Sequence, residues 1–277
     1  MFRGSKKRWF RALTLVLAAV LIVGGVVSGT VAWLIAETEP VVNTFSYGDI
    51  DLKLDETKTD KDGNPIDENG NPIVDQDGDG FPENTPTKTT EGNEYAMIPG
   101  EEYLKDPTVT VLAGNEACWL FVKLDEIDGS ITNADGSVTS TGAFGDYLTY
   151  TIGSGWTQLY EDGFFNQDEH KVEGVYYRFV GEDTDNVEVA YPVLMDNKIC
   201  VKGEVTKEML NALDNNGQED KTKVTYPRLS ITAYAVQYSG FEAEVSEGAG
   251  SATDEQVNTA VLKAWNAVEA QNATTNP

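Results

Sequence analysis

The alternation of apolar and polar positions divides the chain into three regimes. Residues 12–36 (ALTLVLAAVLIVGGVVSGTVAWLIA) contain no charged side chain. Residues 55–91 hold few apolar side chains, and most of the remainder carries the two-residue period of strands. Within residues 43–54 (NTFSYGDIDLKL), Ile50, Leu52 and Leu54 fall on one face and Asp51 and Lys53 on the other. Residues 107–112 are short and β-branched, with Ala113-Gly114 as a stop. Residues 117–124 put Cys118, Leu120, Val122 and Leu124 on one face and Trp119 and Phe121 on the other, which predicts a strand covered on both sides. Further strands are predicted at 147–152, 157–160, 174–180, 187–194 and 198–205. The longest is predicted at 224–238, where Pro227 marks an edge or bulge. Two helices interrupt the pattern. Thr206 caps KEMLNALDNN, with Gly217 beyond its end. Thr253 to Gln256 has capping-box spacing, and Val257, Ala260, Val261, Ala264, Trp265 and Val268 then recur at helical intervals. The expectation is an all-β fold, a sandwich or barrel spanning 37–270, onto which a helix at 253–270 docks through Trp265, with a loose tail at 271–277.

Charge adds a direction of export. Arg3, Lys6, Lys7, Arg8 and Arg11 precede the apolar segment, and no acid occurs before Glu37. A basic flank, an apolar stretch and small residues near a cut are the parts of a signal peptide, here 1–36, with cleavage between Ala32 and Ala36. An uncleaved anchor is the alternative, because about 20 apolar residues already span a bilayer. Gly24, Gly25, Gly29 and Thr30 weaken a helix and favour cleavage. Either way the basic end stays inside and everything after residue 36 is translocated. That body keeps 46 acids against 15 bases, a net −31. Such a surface excludes nucleic acid as a partner and draws cations.

The acidic insert at 55–91 holds eleven acids and three lysines, with a degenerate repeat: DKDGNPID, ENGNPIVD, DQDGDGFPEN. Its composition predicts a solvated, flexible loop. The sharper alternative is calcium, the one cofactor the sequence suggests. Asp75, Asp77 and Asp79 alternate before Gly80 like the first half of an EF-hand loop, although Pro86 stands where a bidentate Glu is expected.

Cys118 and Cys200 are the only cysteines, in strands predicted on an exported body. They form either a disulfide, worth about 4 kcal/mol for a loop of about 80 residues, or two buried free thiols. His170 is the only histidine. That excludes HExxH peptidases and two-His metal sites. There is no GxSxG elbow, P-loop or dinucleotide fingerprint. A two-carboxylate hydrolase stays open, because 46 acids offer many pairs.

The stretch SGTVAWLIAETEPVVNTFSYGDIDLKLDE resembles the N-terminus of the TasA/camelysin family of bacterial surface and biofilm-matrix proteins. A second similarity is the Pro99-Gly100 turn, Lys105-Asp106 with its β-branched strand, and Gly114-Asn115 leading into Ala117 to Val122. The resemblance covers residues 1–54 and about 95–125, and is diffuse at 130–240. It implies export through a dedicated signal peptidase and a jelly-roll β-sandwich. It also implies a fibre in which the mature N-terminal strand completes the sheet of the next subunit, with self, and other matrix components, as partners. The donor would be 37–45 (ETEPVVNTF), centred on Val41, Val42, Asn43, Thr44 and Phe45, which can alternatively fold back on its own domain. The long Asp-rich insert and the two Cys depart from the best-known members. The expected function is a secreted structural subunit without enzymatic activity; the alternatives are a monomeric surface binding module or an extracellular carboxylate hydrolase.

Overall fold

Trp119, Phe121, Leu120, Val122 and Leu124 leave no polar face to the strand that carries them, so it can only sit inside. A computed structural model describes residues 35–37, 45–47, 50–73, 84–214, 223–246 and 250–275. In chain order its elements are β1 (Ile35–Glu37), β2 (Phe45–Tyr47), β3 (Leu52–Thr57), β4 (Lys88–Thr89), β5 (Glu94–Ala96), β6 (Glu102–Leu104), β7 (Thr108–Val111), β8 (Cys118–Ile127), β9 (Gly129–Thr132) and β10 (Val138–Gly142). There follow α1 (Phe144–Tyr147), β11 (Leu148–Thr149), β12 (Thr157–Tyr160), β13 (Lys171–Val180), β14 (Val189–Pro192), β15 (Lys198–Val201), α2 (Lys207–Leu213), β16 (Val224–Thr225), β17 (Arg228–Gln237) and α3 (Asp254–Thr275). The fold is mostly β, in antiparallel sheets.

The largest sheet has the order β12-β13-β8-β17-β2, and the next β14-β7-β3-β4. On one face of the larger sheet, Trp119, Phe121, Val175, Tyr177, Tyr234 and Val236 meet Val261, Ala264, Trp265 and Val268 of α3. On the other face, register sets Leu120, Val122 and Leu124 beside Ala235, Ala233 and Ile231, all buried. β17 there lies against β3, whose Leu52 and Leu54 are buried. Arg178 of β13 ties the two sheets: its guanidinium carbon lies 4.0 Å from the ring centre of Tyr191 on β14 and 5.3 Å from that of Trp156. Smaller sheets are β11-β15-β6, β10-β9-β16 and β1-β5.

The helix signals hold. Thr206 Oγ1 accepts from Met209 N at 3.3 Å. Thr253 and Gln256 form the reciprocal capping box, at 2.8 and 3.3 Å. α3 continues past residue 270 through Thr275, into the segment expected as a tail. Residues 43–54 divide into β2 and β3, which join different sheets. The predicted strand 147–152 shrinks to Leu148–Thr149, since Tyr147 closes the helical turn α1. Pro227 lacks a ladder donor and separates β16 from β17.

The acidic insert is corrected most. Asp55, Glu56 and Thr57 belong to β3 and are buried. Residues 58–73 fold as two consecutive tight hairpins. Asp60 N donates to Asn64 O and Gly63 N to Asp60 O; seven residues on, Asp67 N donates to Asn71 O and Gly70 N to Asp67 O. Gly63 and Gly70 both hold φ +81°, as the left-handed position after a type I turn requires. Each aspartate closes its own turn, Asp60 Oδ1 accepting from the backbone of Asp62 and Asn64, and Asp67 Oδ1 from that of Asn69 and Asn71. Ile66 is buried and bonds to Lys58 O and Thr87 N. The same turn recurs in the unanticipated hairpin β9–β10, where Gly136 N donates to Asn133 O.

These bonds, led by the backbone N–H of Asn71, hold the Asp67 carboxyl below its ordinary 3.8. A depressed carboxylate stabilises the fold above that value, and the benefit fades as pH falls through the folded pKa. Asp67→Ala is therefore expected to lower the thermal midpoint at neutral pH, with the gap to wild type closing below pH 3.8. A gap independent of pH would remove the carboxylate from the account.

Candidate functional site

Two places concentrate features that a plain β fold does not need. The first is the N-terminal arm. β1 pairs antiparallel with β5, Ile35 opposite Ala96 and Glu37 opposite Glu94. β2 pairs with β17 in parallel, Phe45 opposite Tyr234 and Tyr47 opposite Val236. Both arm strands are three residues long and outermost in their sheets. A parallel ladder is slightly weaker per residue than an antiparallel one, and a short edge strand is the easiest element of a sheet to exchange. Phe45, at the end of the expected donor segment, thus pairs within its own chain. Val41, Val42, Asn43 and Thr44 lie outside the described residues.

The second is a buried ionic cluster. Lys105 Nζ donates to Glu56 Oε2 at 3.0 Å, and Asn93 Nδ2 donates to Glu56 Oε1 at 2.8 Å. Relative exposures are 0% for Glu56, 1% for Lys105 and 4% for Asn93. Asn93 Nδ2 also donates to Thr57 O, and Asn93 Oδ1 accepts from Thr59 N, both at 2.8 Å. Three separate segments meet here: β3 supplies Glu56, the residue before β5 is Asn93, and the residue after β6 is Lys105. Tyr95 and Tyr103 line the cluster's flank with ring centres 5.2 Å apart. Burial, and then the charge of Glu56, push the Tyr95 phenol up, and its OH donates to Leu104 O at 2.6 Å. At the rim Asp106 accepts from Thr57 N and Thr57 Oγ1, both at 2.6 Å, and from Lys88 Nζ at 3.0 Å.

A scan against family models, a search of curated proteins and a search of solved structures each return no match. The sites therefore rest on their own geometry.

Asp75, Asp77 and Asp79 lie outside the described residues. Among the described residues, no three His, Cys, Asp or Glu side chains gather closely enough to hold a metal ion. The disulfide considered for Cys118 and Cys200 is not formed; both are free thiols, on β8 and β15 of different sheets. Burial pushes the Cys118 thiol up to about 12, and burial followed by the nearby Glu102 raises Cys200. Both shifts work against thiolate chemistry. His170 stacks on Phe164 at 3.7 Å, and its Nδ1 lies 2.9 Å from Glu161 Oε2. No helix among the described residues is long and apolar enough to cross a membrane.

A groove of about 640 Å³ runs beside β13, lined in part by Lys123, Asp125, Glu126, Tyr150, Glu173 and Tyr176. Tyr150 OH donates to Glu126 Oε1 at 2.9 Å. One wall is fixed by Gly174, at φ +68°, where a Cβ would stand 2.1 Å from Leu124 O and no other residue fits.

Sequence reasoning missed the Glu56 cluster. Glu56 counted among the acids of a solvated insert, and Lys105 entered only as part of the resemblance. The available signal was a lysine two residues ahead of the β-branched stretch at 107–112.

Proposed function

We propose that the chain is an exported structural subunit of a cell-surface or matrix fibre, in which the N-terminal arm of one copy completes the sheet of the next. The arm carries this reading. In the mature chain β1 keeps only Glu37, and among the described residues the arm then rests on β2, a three-residue edge strand paired in parallel with β17. An arm held by so few ladder bonds can make the same pairings with a neighbouring copy, and such a head-to-tail exchange propagates without closing. The N-terminal basic and apolar segments support export. A jelly-roll arrangement of the strands and a matrix location belong to the same reading.

Light scattering tests it. Mature protein beginning at Glu37 is expected to grow into large elongated species, whereas a variant lacking residues 37–45 is expected to stay monomeric with an unchanged far-ultraviolet spectrum. Polymers of the shortened variant would refute strand donation. The groove beside β13 favours a second reading, a monomeric surface module that binds a polar ligand. A mature protein that stays monomeric at all concentrations would select it.

A further inference from the structure

From the buried cluster we infer that this chain modifies itself: Lys105 and Asn93 are joined by an amide bond between their side chains, formed with Glu56 as the proton carrier. The observation is one carboxylate that holds an amine on one oxygen and a carboxamide on the other, with all three side chains at most 4% exposed.

Each partner is placed for a separate part of the reaction. A buried lysine is a nucleophile once its proton is removed, and Glu56 Oε2, 3.0 Å from Nζ, is positioned to take it. Excluding water narrows the gap between the ion pair and the neutral amine with carboxylic acid. The electrophile is Cγ of Asn93. Its Oδ1 already accepts from the backbone N–H of Thr59 at 2.8 Å, so charge developing on that oxygen during attack meets a fixed donor. Its Nδ2, the leaving nitrogen, donates to Glu56 Oε1 at 2.8 Å. The proton that Glu56 took from Lys105 can pass to that nitrogen from the other side of the same carboxyl group. Holding both groups on one carboxylate replaces a dilute encounter with a fixed one, which makes an otherwise slow aminolysis practicable once per molecule.

The step balances without a co-reactant. The Lys105 Nζ–Asn93 Cγ bond forms and the Asn93 Cγ–Nδ2 bond breaks. One ammonia leaves, and Glu56 keeps the second proton shed by the Lys105 nitrogen as a carboxylic acid, so no unpaired charge stays buried. No electron is gained or lost. The product fastens the segment entering β5 to the segment leaving β6, and β5 is the strand on which β1 of the arm rests. The inference is independent of fibre assembly, because it concerns a single folded copy.

Peptide mass spectrometry of the purified, fully denatured wild-type protein is the test. A Glu-specific protease cuts after Glu91, Glu94, Glu102 and Glu116, so residues 92–94 and 103–116 leave as two peptides if no bond exists. The expected result is one branched species containing both, lighter than their sum by one ammonia. Two separate peptides at full mass overturn the inference, and so do residues 103–116 joined, with loss of one water, to the peptide that carries Glu56. Glu56→Gln keeps the shape but removes the proton carrier, and its digest is expected to show the two peptides unjoined. A joined pair in folded Glu56→Gln protein would overturn the role given to Glu56. The wild-type digest decides for or against the bond even if that variant does not fold.

Discussion

Lys105→Met is expected to destabilise the protein by about 3–5 kcal/mol, because it leaves the Glu56 carboxylate buried with no opposite charge. Glu56 has no route to solvent at 0% exposure, and its remaining donor, Asn93 Nδ2, supplies a hydrogen bond but no charge. Set against a typical total of about 5–15 kcal/mol, that is a large fraction. Urea unfolding of wild type and variant gives the number. The control is Lys105→Met combined with Glu56→Leu, which replaces both charges by apolar groups and is expected to recover most of the loss, since apolar substitutes for a buried pair are often neutral or better. A loss below about 1 kcal/mol for the single variant would show that water reaches the cluster. The comparison also separates charge from any covalent link, because the double variant removes the unpaired charge and still lacks the link.

Trp265→Ala carries the other large expected effect. Trp265 is 2% exposed, with its ring centre 5.4 Å from Phe121 and 5.5 Å from Tyr234. Truncating a buried aromatic costs about 3–5 kcal/mol, and here it removes the main contact between α3 and the larger sheet. Most of a protein helix's stability comes from packing its apolar face rather than from propensity, so loss of docking is expected to appear as loss of helical signal at 222 nm as well as an earlier midpoint. Trp265 Nε1 has no hydrogen-bond partner among the described residues. Trp265→Phe is accordingly expected to retain most of the stability. Equal losses for the two variants would mean that packing area is not what holds the helix.

Where burial follows from period, the chain could be read directly. The double-sided apolar strand at 117–124 became the centre of the larger sheet, and the stripe from Val257 to Val268 became the docked face of α3. The caps at Thr206 and Thr253 were legible because a helix end needs a side-chain acceptor within a few residues. Two kinds of information were not local. The acidic insert was judged by its shortage of apolar residues, yet its order comes from aspartates that fold the backbone onto themselves, which composition does not report. Glu56 and Lys105 lie 49 residues apart. A single charged residue near a strand carries no mark of the partner that will neutralise it, so the cluster existed only once the sheets brought its three segments together. The arm was anticipated as strand-forming, but its parallel pairing with β17 depends on how the chain returns, which no residue in the segment specifies.

The two hairpins after β3 also have a unit length. Asp60-Gly63-Asn64-Ile66 and Asp67-Gly70-Asn71-Ile73 are the same device set seven residues apart, each with its own closing carboxylate and its own left-handed glycine. Neither unit borrows these parts from the other, although the first is also tied to β5, Ala96 N donating to Lys61 O, and to Thr87, whose N donates to Ile66 O. The second unit stacks on the first, Ile73 N donating to Pro65 O as Ile66 N does to Lys58 O, so length can change there in steps of seven residues, as in repeat proteins whose modules stack on their neighbours. The segment is thereby a place where the gene can change length in register while the sheets, the buried cluster and the arm keep the same geometry.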